Sequence, residues 1–288
     1  MKKQIVFGLL IILLVSCSGN SSLEETIQAE TKRIEIPTAV TSPMVEQPRI
    51  ISTSTAAVEP EPTPTEVVKQ SQVCGLFAGE GLEALMQRLT NPFYRPEPGS
   101  DNPHQGVDFS DLDPVNRIAL SGKAVQAITS GKVAMVITDR FPYGNAVLIE
   151  TPLDALPQSW LQKISVNQPV EREIFHTNLT CPGDWENPGG DINQASFYIL
   201  YAHFEDKVSY QVGETIECGQ EIGKIGMSGN ALAPHVHVEM RLGPSGATFE
   251  DMSHYDSSAS LLAMENYCRW RVSGWYELLD PMDFFLIQ

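Results

Sequence analysis

The stretch Pro234-His235-Val236-His237-Val238-Glu239 alternates imidazole with valine. In a β-strand, residues two apart project to the same side, so His235 and His237 aim together while Val236 and Val238 enter an apolar interior. Two imidazoles directed at one place suit metal ligation or proton transfer near neutral pH. A second stretch, His104-Gln105-Gly106-Val107-Asp108, sets an imidazole four residues before a carboxylate. That spacing could stack the pair on a helix face. Pro103 before it and Gly106 within it instead predict a bend into a strand, Val107 to Phe109, which would also bring both groups to one ion. A third stretch, Tyr201-Ala202-His203, puts a histidine at the end of the apolar run Phe197 to Leu200. There is no HExxH helix and no CxxC pair in the sequence.

These side chains need a scaffold, and from Cys74 onward the composition turns globular. A short helix is predicted over Gly81 to Leu89. Brief β-rich runs separated by glycine follow: Ala124 to Ile128, Lys132 to Thr138, Ala146 to Glu150, Phe197 to His203, Thr215 to Cys218, Glu221 to Ile225 and Val236 to Arg241. Short strands at close spacing with glycine turns predict an all-β sandwich or barrel. Thr151 to Ser196, with Trp160, Cys181 and Trp185, and Thr248 to Gly274, with Tyr255, Cys268 and Trp270, break this rhythm and read as loop insertions.

The three histidine-bearing stretches together resemble the lysostaphin-type family of zinc endopeptidases, whose fold is a duplicated hybrid motif. His104 to Phe109 is similar to that family's HxGxD opening, Gly122 to Gly131 to its glycine-bounded strand, and Tyr143-Gly144-Asn145 to Ile149 to its YGN segment. Tyr201 to Phe204 resembles its YAHL element. Gln211 to Gly226 follows its VG, GQ and IG turns, leading through Ser228, Gly229 and Asn230 to the HxH strand. The resemblance covers roughly residues 100–150 and 197–243. It implies one catalytic zinc held by His104, Asp108 and His237, with His203 and His235 as the two catalytic histidines. Spacing does not decide which of the pair is the base; the family pattern favours His235, with His203 steadying the anionic intermediate. The implied reaction is hydrolysis of peptide bonds in peptidoglycan stem peptides or cross-bridges. Some relatives lose their ligands and act as activators of other wall hydrolases, and phosphocarrier domains of sugar transport also converge two histidines. Here every ligand position is filled, and an export signal and Asp108 count against a phosphocarrier.

That signal is Lys2 and Lys3 followed by an apolar stretch, Gln4 to Val15, too short to span a bilayer. It runs into Leu14-Val15-Ser16-Cys17, which resembles the lipobox of bacterial lipoproteins and implies lipidation at Cys17. The expected organisation is a signal peptide at 1–16, a lipidated tether at 17–73 and the catalytic domain at 74–288, in an extracytoplasmic, membrane-anchored monomer. Residues 18–73 hold 15 Ser or Thr, 6 Pro and no aromatic residue, too little apolar area to offset ordering entropy. Such a disordered tether would reach roughly 185 Å at full extension and about 40 Å as a flexible coil. Losing Lys2 and Lys3 would take the formal charge from −17 to −19, which argues against nucleic acid or anionic lipid as a surface partner.

After Cys17 four cysteines remain, Cys74, Cys181, Cys218 and Cys268, and an exported chain permits disulfides. Because the ends of a compact domain often lie close together, Cys74 is expected to pair with Cys268, leaving Cys181 for Cys218, although two other connectivities satisfy the same count. His176 and His254, in the insertions, read as surface residues, and Trp160, Trp185, Trp270 and Trp275 either wall a substrate groove or pack within the inserted loops.

Overall fold

The computed structural model describes residues 72–164 and 169–287. The expected signal peptide, Cys17 and the tether as far as residue 71 lie outside the described residues. Among the described residues, no helix is long and apolar enough to cross a membrane.

Twelve strands are described: β1 (Leu89–Asn91), β2 (Val107–Phe109), β3 (Asp111–Leu112), β4 (Ala119–Leu120), β5 (Ala124–Gln126), β6 (Gly131–Arg140), β7 (Gly144–Pro152), β8 (Asp191–Ala202), β9 (Thr215–Ile216), β10 (Glu221–Lys224), β11 (Val236–Ser245) and β12 (Glu277–Leu279). Four helices join them: α1 (Leu82–Arg88), α2 (Gln158–Leu161), α3 (Leu261–Val272) and α4 (Met282–Phe285). One sheet runs in the order β1-β2-β11-β8-β7-β6-β9, with β12 also beside β11. A two-stranded β5–β10 ladder supplies a second layer, and β3–β4 forms a small hairpin. The all-β expectation holds, with helices as short additions.

Alternation along the central strands explains why the sheet is buried on both sides. Val147, Ile149, Phe197, Ile199 and Tyr201 enter one core, while Ala146, Leu148, Tyr198, Leu200 and Ala202 enter the other. The first core is closed by the β5–β10 layer and by an aromatic cluster. In that cluster the Trp160 ring lies 5.5 Å from Phe197 and 5.1 Å from Phe284. The second is closed by α3 through Tyr267 and Trp270, together with Phe249 and Tyr276. Trp160 and Trp270 are therefore packing residues, both fully buried. On β11 the rule splits by chemistry: Val236, Val238, Met240 and Leu242 join the first core, and the opposite side carries His237, Glu239 and Arg241.

The insertions are more ordered than the sequence suggested. β8 begins at Asp191 because the end of the first insertion extends the ladder with β11, pairing Ser196 with Gly243 and Asp191 with Ser245. The second insertion contains α3, whose N-cap Ser260 accepts a hydrogen bond from the Ala263 amide at 3.1 Å. His254, expected at the surface, is 5% exposed; its Nε2 lies 3.0 Å from the Thr180 carbonyl and its ring stacks on Tyr267 at 5.0 Å. His176 is exposed as expected.

The disulfides correct the expected pairing. Cys74 is joined to Cys218 and Cys181 to Cys268, with Cα–Cα separations of 5.6 and 5.8 Å. The end-to-end argument fails because the Cys74 segment runs beside Ile128, to whose carbonyl its amide donates at 2.9 Å, whereas Cys268 lies on α3, which closes the other core. Gly219 binds Ala127 from the opposite side, which brings Cys218 to Cys74. The second bridge ties the two insertions to each other. We predict that non-reducing peptide mapping recovers 74–218 and 181–268 linkages, and that replacing Cys181 and Cys268 by serine costs about 2–4 kcal/mol in denaturant titration. Recovery of a 74–268 peptide would refute this connectivity.

Candidate metal centre

Strand register brings the separated motifs together. β11 pairs with β2 on one side, His237 opposite Asp108, and with β8 on the other, His237 opposite Ala202. His203, the residue after β8, therefore arrives beside His237. His104 arrives through the bend at Gly106. A Cβ there would stand 2.5 Å from the Val238 carbonyl and 2.6–2.7 Å from the His237 ring, so only glycine lets the chain pass this close. The result is a triad of donors, Asp108 and His237 buried and His104 half-buried: Asp108 Oδ1 lies 2.9 Å from His104 Nε2 and 2.8 Å from His237 Nδ1, and those two nitrogens are 2.9 Å apart. This donor set could hold a metal ion.

Each imidazole has its tautomer fixed by an acceptor at its far nitrogen. His104 Nδ1 donates to the Pro92 carbonyl at 2.9 Å, His203 Nδ1 to the Ser228 carbonyl at 2.8 Å and His235 Nδ1 to the Ala233 carbonyl at 2.8 Å. A carbonyl can only accept, so Nε2 of all three rings is left with a lone pair. His237 reverses the arrangement, donating from Nε2 to Glu239 Oε1 at 3.2 Å and turning Nδ1 towards Asp108.

His203 sits in the left-handed region, φ +67°, a conformation costing a non-glycine residue roughly 1–3 kcal/mol. Its surroundings hold it there. Its amide donates to the Tyr143 carbonyl at 3.0 Å, the next amide donates to the Asn145 carbonyl at 3.0 Å, and the Asn145 amide binds Ser228 Oγ at 2.8 Å. The Tyr143-Gly144-Asn145 and Ser228 motifs are thus the bracket for one histidine. His203 and His235 rings stand 4.7 Å apart, and His235 Nε2 is 3.6 Å from Asp108 Oδ1.

Burial would raise the Asp108 carboxyl, but hydrogen bonds from His104 and His237 overcome it and hold the group well below the ordinary carboxylate range. Burial likewise opposes a charged His237, yet Asp108 and Glu239 lift it to about 9. Burial, followed by repulsion from His237 and His235, takes His203 down to about 3, and burial also lowers His235. The cluster therefore favours one positive charge at the donor triad and neutral imidazoles at His203 and His235.

Glu239 supports this arrangement from behind. It is fully buried; its Oε1 accepts from the Tyr143 hydroxyl at 3.0 Å and from Arg271 Nη1, its Oε2 from Trp270 Nε1 at 2.9 Å, and Arg241 Nη2 lies 3.5 Å away. The period of two places Glu239 on the same side of β11 as His237, so its role was within reach of the sequence. Trp270 and Arg271, on a helix of an insertion, carried no such signal. Asn91 of β1, which donates to Asp108 Oδ2 at 3.1 Å, was also missed.

Residues 192–248, which contain His203, His235 and His237, match the model of peptidase family M23. His104 and Asp108 lie outside the matched residues; the β2–β11 register brings Asp108, and the Gly106 bend His104, to the histidines inside them. Among solved structures, the chain is similar to the catalytic domain of the antimicrobial peptidase lysostaphin from Staphylococcus simulans, at 18% identity over 72% of this chain and 98% of that one, TM-score 0.36. It is also similar to a catalytic-domain variant of the prophage-encoded M23 protein EnpA from Enterococcus faecalis (18% identity, 56% of this chain, 84% of that one, TM-score 0.32). A zinc-containing peptidase from Vibrio cholerae is similar at 19% identity over 59% of this chain and 36% of that one, TM-score 0.30. A comparison with curated proteins gave no significant match.

All five residues singled out from the sequence, His104, Asp108, His203, His235 and His237, meet at this centre. Because the Gly106 bend is what admits His104, Gly106→Ala is predicted to cost about 1–3 kcal/mol through forced overlap and to weaken metal retention. Thermal melts and a competitive metal titration would check this, and wild-type values in both would show that the bend tolerates a side chain.

Proposed function

We propose that the chain is a zinc-dependent endopeptidase that cuts peptide bonds of peptidoglycan stem peptides or cross-bridges. The observation that carries this reading is the approach of two fixed lone-pair nitrogens, His104 Nε2 and His237 Nδ1, to 2.9 Å from each other beside one carboxylate oxygen. Such an arrangement repels itself unless a proton or a cation lies between. Two imidazoles and one carboxylate are the borderline nitrogen and oxygen donors that suit zinc, and three protein ligands leave a further position open, as in catalytic sites. A zinc ion held there supplies Lewis acidity at the scissile carbonyl.

The remaining chemistry falls to the second histidine pair. His235 Nε2, kept free by the bond from its Nδ1 to Ala233, takes the proton of the attacking water and passes it to the departing amine. His203 Nε2, turned inward as a lone pair by the Ser228 carbonyl, steadies the oxygen that becomes negative during attack once this nitrogen has taken up a proton from solvent. Burial of both rings keeps them neutral at the outset. Residues 74–288 are the catalytic unit in this reading, and residues 17–73 are a tether from a lipidated Cys17, holding a monomer outside the cytoplasm and facing the wall.

The purified protein is expected to bind about one zinc and to release soluble peptides from wall material, with a chelator abolishing the release. His237→Ala should lose both zinc and activity; full zinc occupancy in that variant would contradict the ligand set. His235→Ala should keep its zinc and lose turnover by about 10²- to 10⁴-fold, and near-normal turnover would remove it as the base. Cys17→Ser should leave the membrane fraction or keep its signal uncleaved, because acylation requires the thiol. A processed, membrane-bound Cys17→Ser protein would exclude the anchor.

A further inference from the structure

Arg241 and Arg271, which surround Glu239, also line a cavity of about 760 Å³ that none of the five residues of the metal centre touches. Its lining includes Val170, Glu171, Arg172, Glu173 and Phe175 of the first insertion. That segment is fastened to the end of α3: the Glu173 amide donates to the Gly274 carbonyl at 3.1 Å, Arg172 Nε donates to the Ser273 carbonyl at 2.7 Å, and a Cβ on Gly274 would overlap the Glu173 carbonyl. Phe175, Leu242, Trp275 and Tyr276 give the cavity an apolar lining.

The charges at its base do not balance. Arg241 is 2% exposed, and its one ion pair among the described residues is with Glu239, which Arg271 shares. Arg241 spends its Nη groups on the Tyr276 carbonyl and Gln105, and Arg271 donates to the Asp101 carbonyl, the Asp101 carboxylate being taken by the hydroxyls of Tyr255 and Tyr267. The Nε–H of both arginines is buried without an acceptor among the described residues. Burial draws Arg241 down to about 10 against the pull of Glu239 and with repulsion from Arg271, whereas Glu239 and Tyr143 overcome burial at Arg271 and raise it. A buried cation and unsatisfied donors of this kind are costly unless paired.

The rest of the lining carries both signs: Arg95, Arg172, which pairs with Glu186, and four carboxylates. Glu97, Glu171, Glu173 and Glu277 line the cavity and form no ion pair with Arg241 or Arg271 among the described residues. Glu277 is raised by burial and then by repulsion from Glu173. These carboxylates oppose a polyanion such as a nucleotide and attract an ammonium group.

We infer that this cavity is a second binding site, one that takes a short free peptide with its C-terminal carboxylate on Arg241 and Arg271, its ammonium towards the glutamates, and its apolar side chains against Trp275 and Phe175. The volume is within the range of small-ligand sites. The inference deepens the peptidase reading, since peptide-bond hydrolysis releases ligands of this class, but it needs no catalysis to be tested.

Isothermal titration of the zinc-loaded protein with the dipeptide alanyl-leucine, and with alanyl-leucine amide, is the test. The acid is expected to bind at least about tenfold more tightly than the amide, because the amide forfeits the charged pair. Binding should persist after chelator treatment and in His237→Ala, which separates the cavity from a carboxylate resting on the metal. Arg241→Gln should weaken it about tenfold or more, and Leu278→Trp, which fills the cavity from its wall without removing a buried charge, should do the same. Equal binding of acid and amide, binding lost with the metal, no binding at all, or an unaltered Leu278→Trp would each overturn the inference. Peptide-wall digestion by the same preparation reports separately on the endopeptidase reading.

Discussion

Backbone carbonyls at Pro92, Ser228 and Ala233 each take the outer N–H of one imidazole, and from that constraint the centre follows. A histidine free to choose its tautomer could quench a neighbouring lone pair by presenting a proton. These three cannot, so the inward nitrogens are committed as acceptors or ligands, and Glu239 commits His237 in the same sense. Three of the four anchoring acceptors sit on turns or loops, where carbonyls are not consumed by the sheet ladder. The sheet supplies position and the loops supply polarity.

Holding so much charge in a dry place requires a second ring of partners. A carboxylate as buried as Glu239 is tolerable only when its lone pairs are fully engaged, and the engaging groups come from three separate parts of the chain: Tyr143 after β6, Arg241 on β11, and Trp270 with Arg271 on α3. The second insertion is therefore part of the support of the centre. The Cys181–Cys268 bridge ties that helix to the first insertion, and His254, stacked on Tyr267, adds a contact to the Thr180 carbonyl there.

The sequence was informative wherever a short period carried the signal. Brief β-rich runs between glycines identified β6, β7, β8 and β11, alternation placed His235 with His237, and the proline and glycine around His104 correctly favoured a bend over a helix. It failed where the period was obscured. α3 buries Ala263, Asn266, Tyr267, Cys268, Trp270 and Val272, so it has no clean apolar stripe to mark it as a helix. The first residues of β8 are mostly polar and exposed, and only Asp191 of them pairs with β11, beyond a break in register. The disulfide partners were illegible for a different reason, since which face of the sheet each cysteine approaches depends on packing that spacing does not encode.

β11 carries its functions at fixed intervals. His237, Glu239 and Arg241 follow one another on a single side at two-residue steps, with His235 just before the strand, so ligand, buried acid and cavity-lining cation share one rigid rule. Point substitutions can adjust any of them singly. A one-residue insertion or deletion inside this strand could not, because it would rotate every later side chain to the other face, sending glutamate and arginine into the valine core and methionine and leucine into the polar layer. Change in this region is therefore confined to exchange of side chains in place, and variation in length is left to the loops at either end.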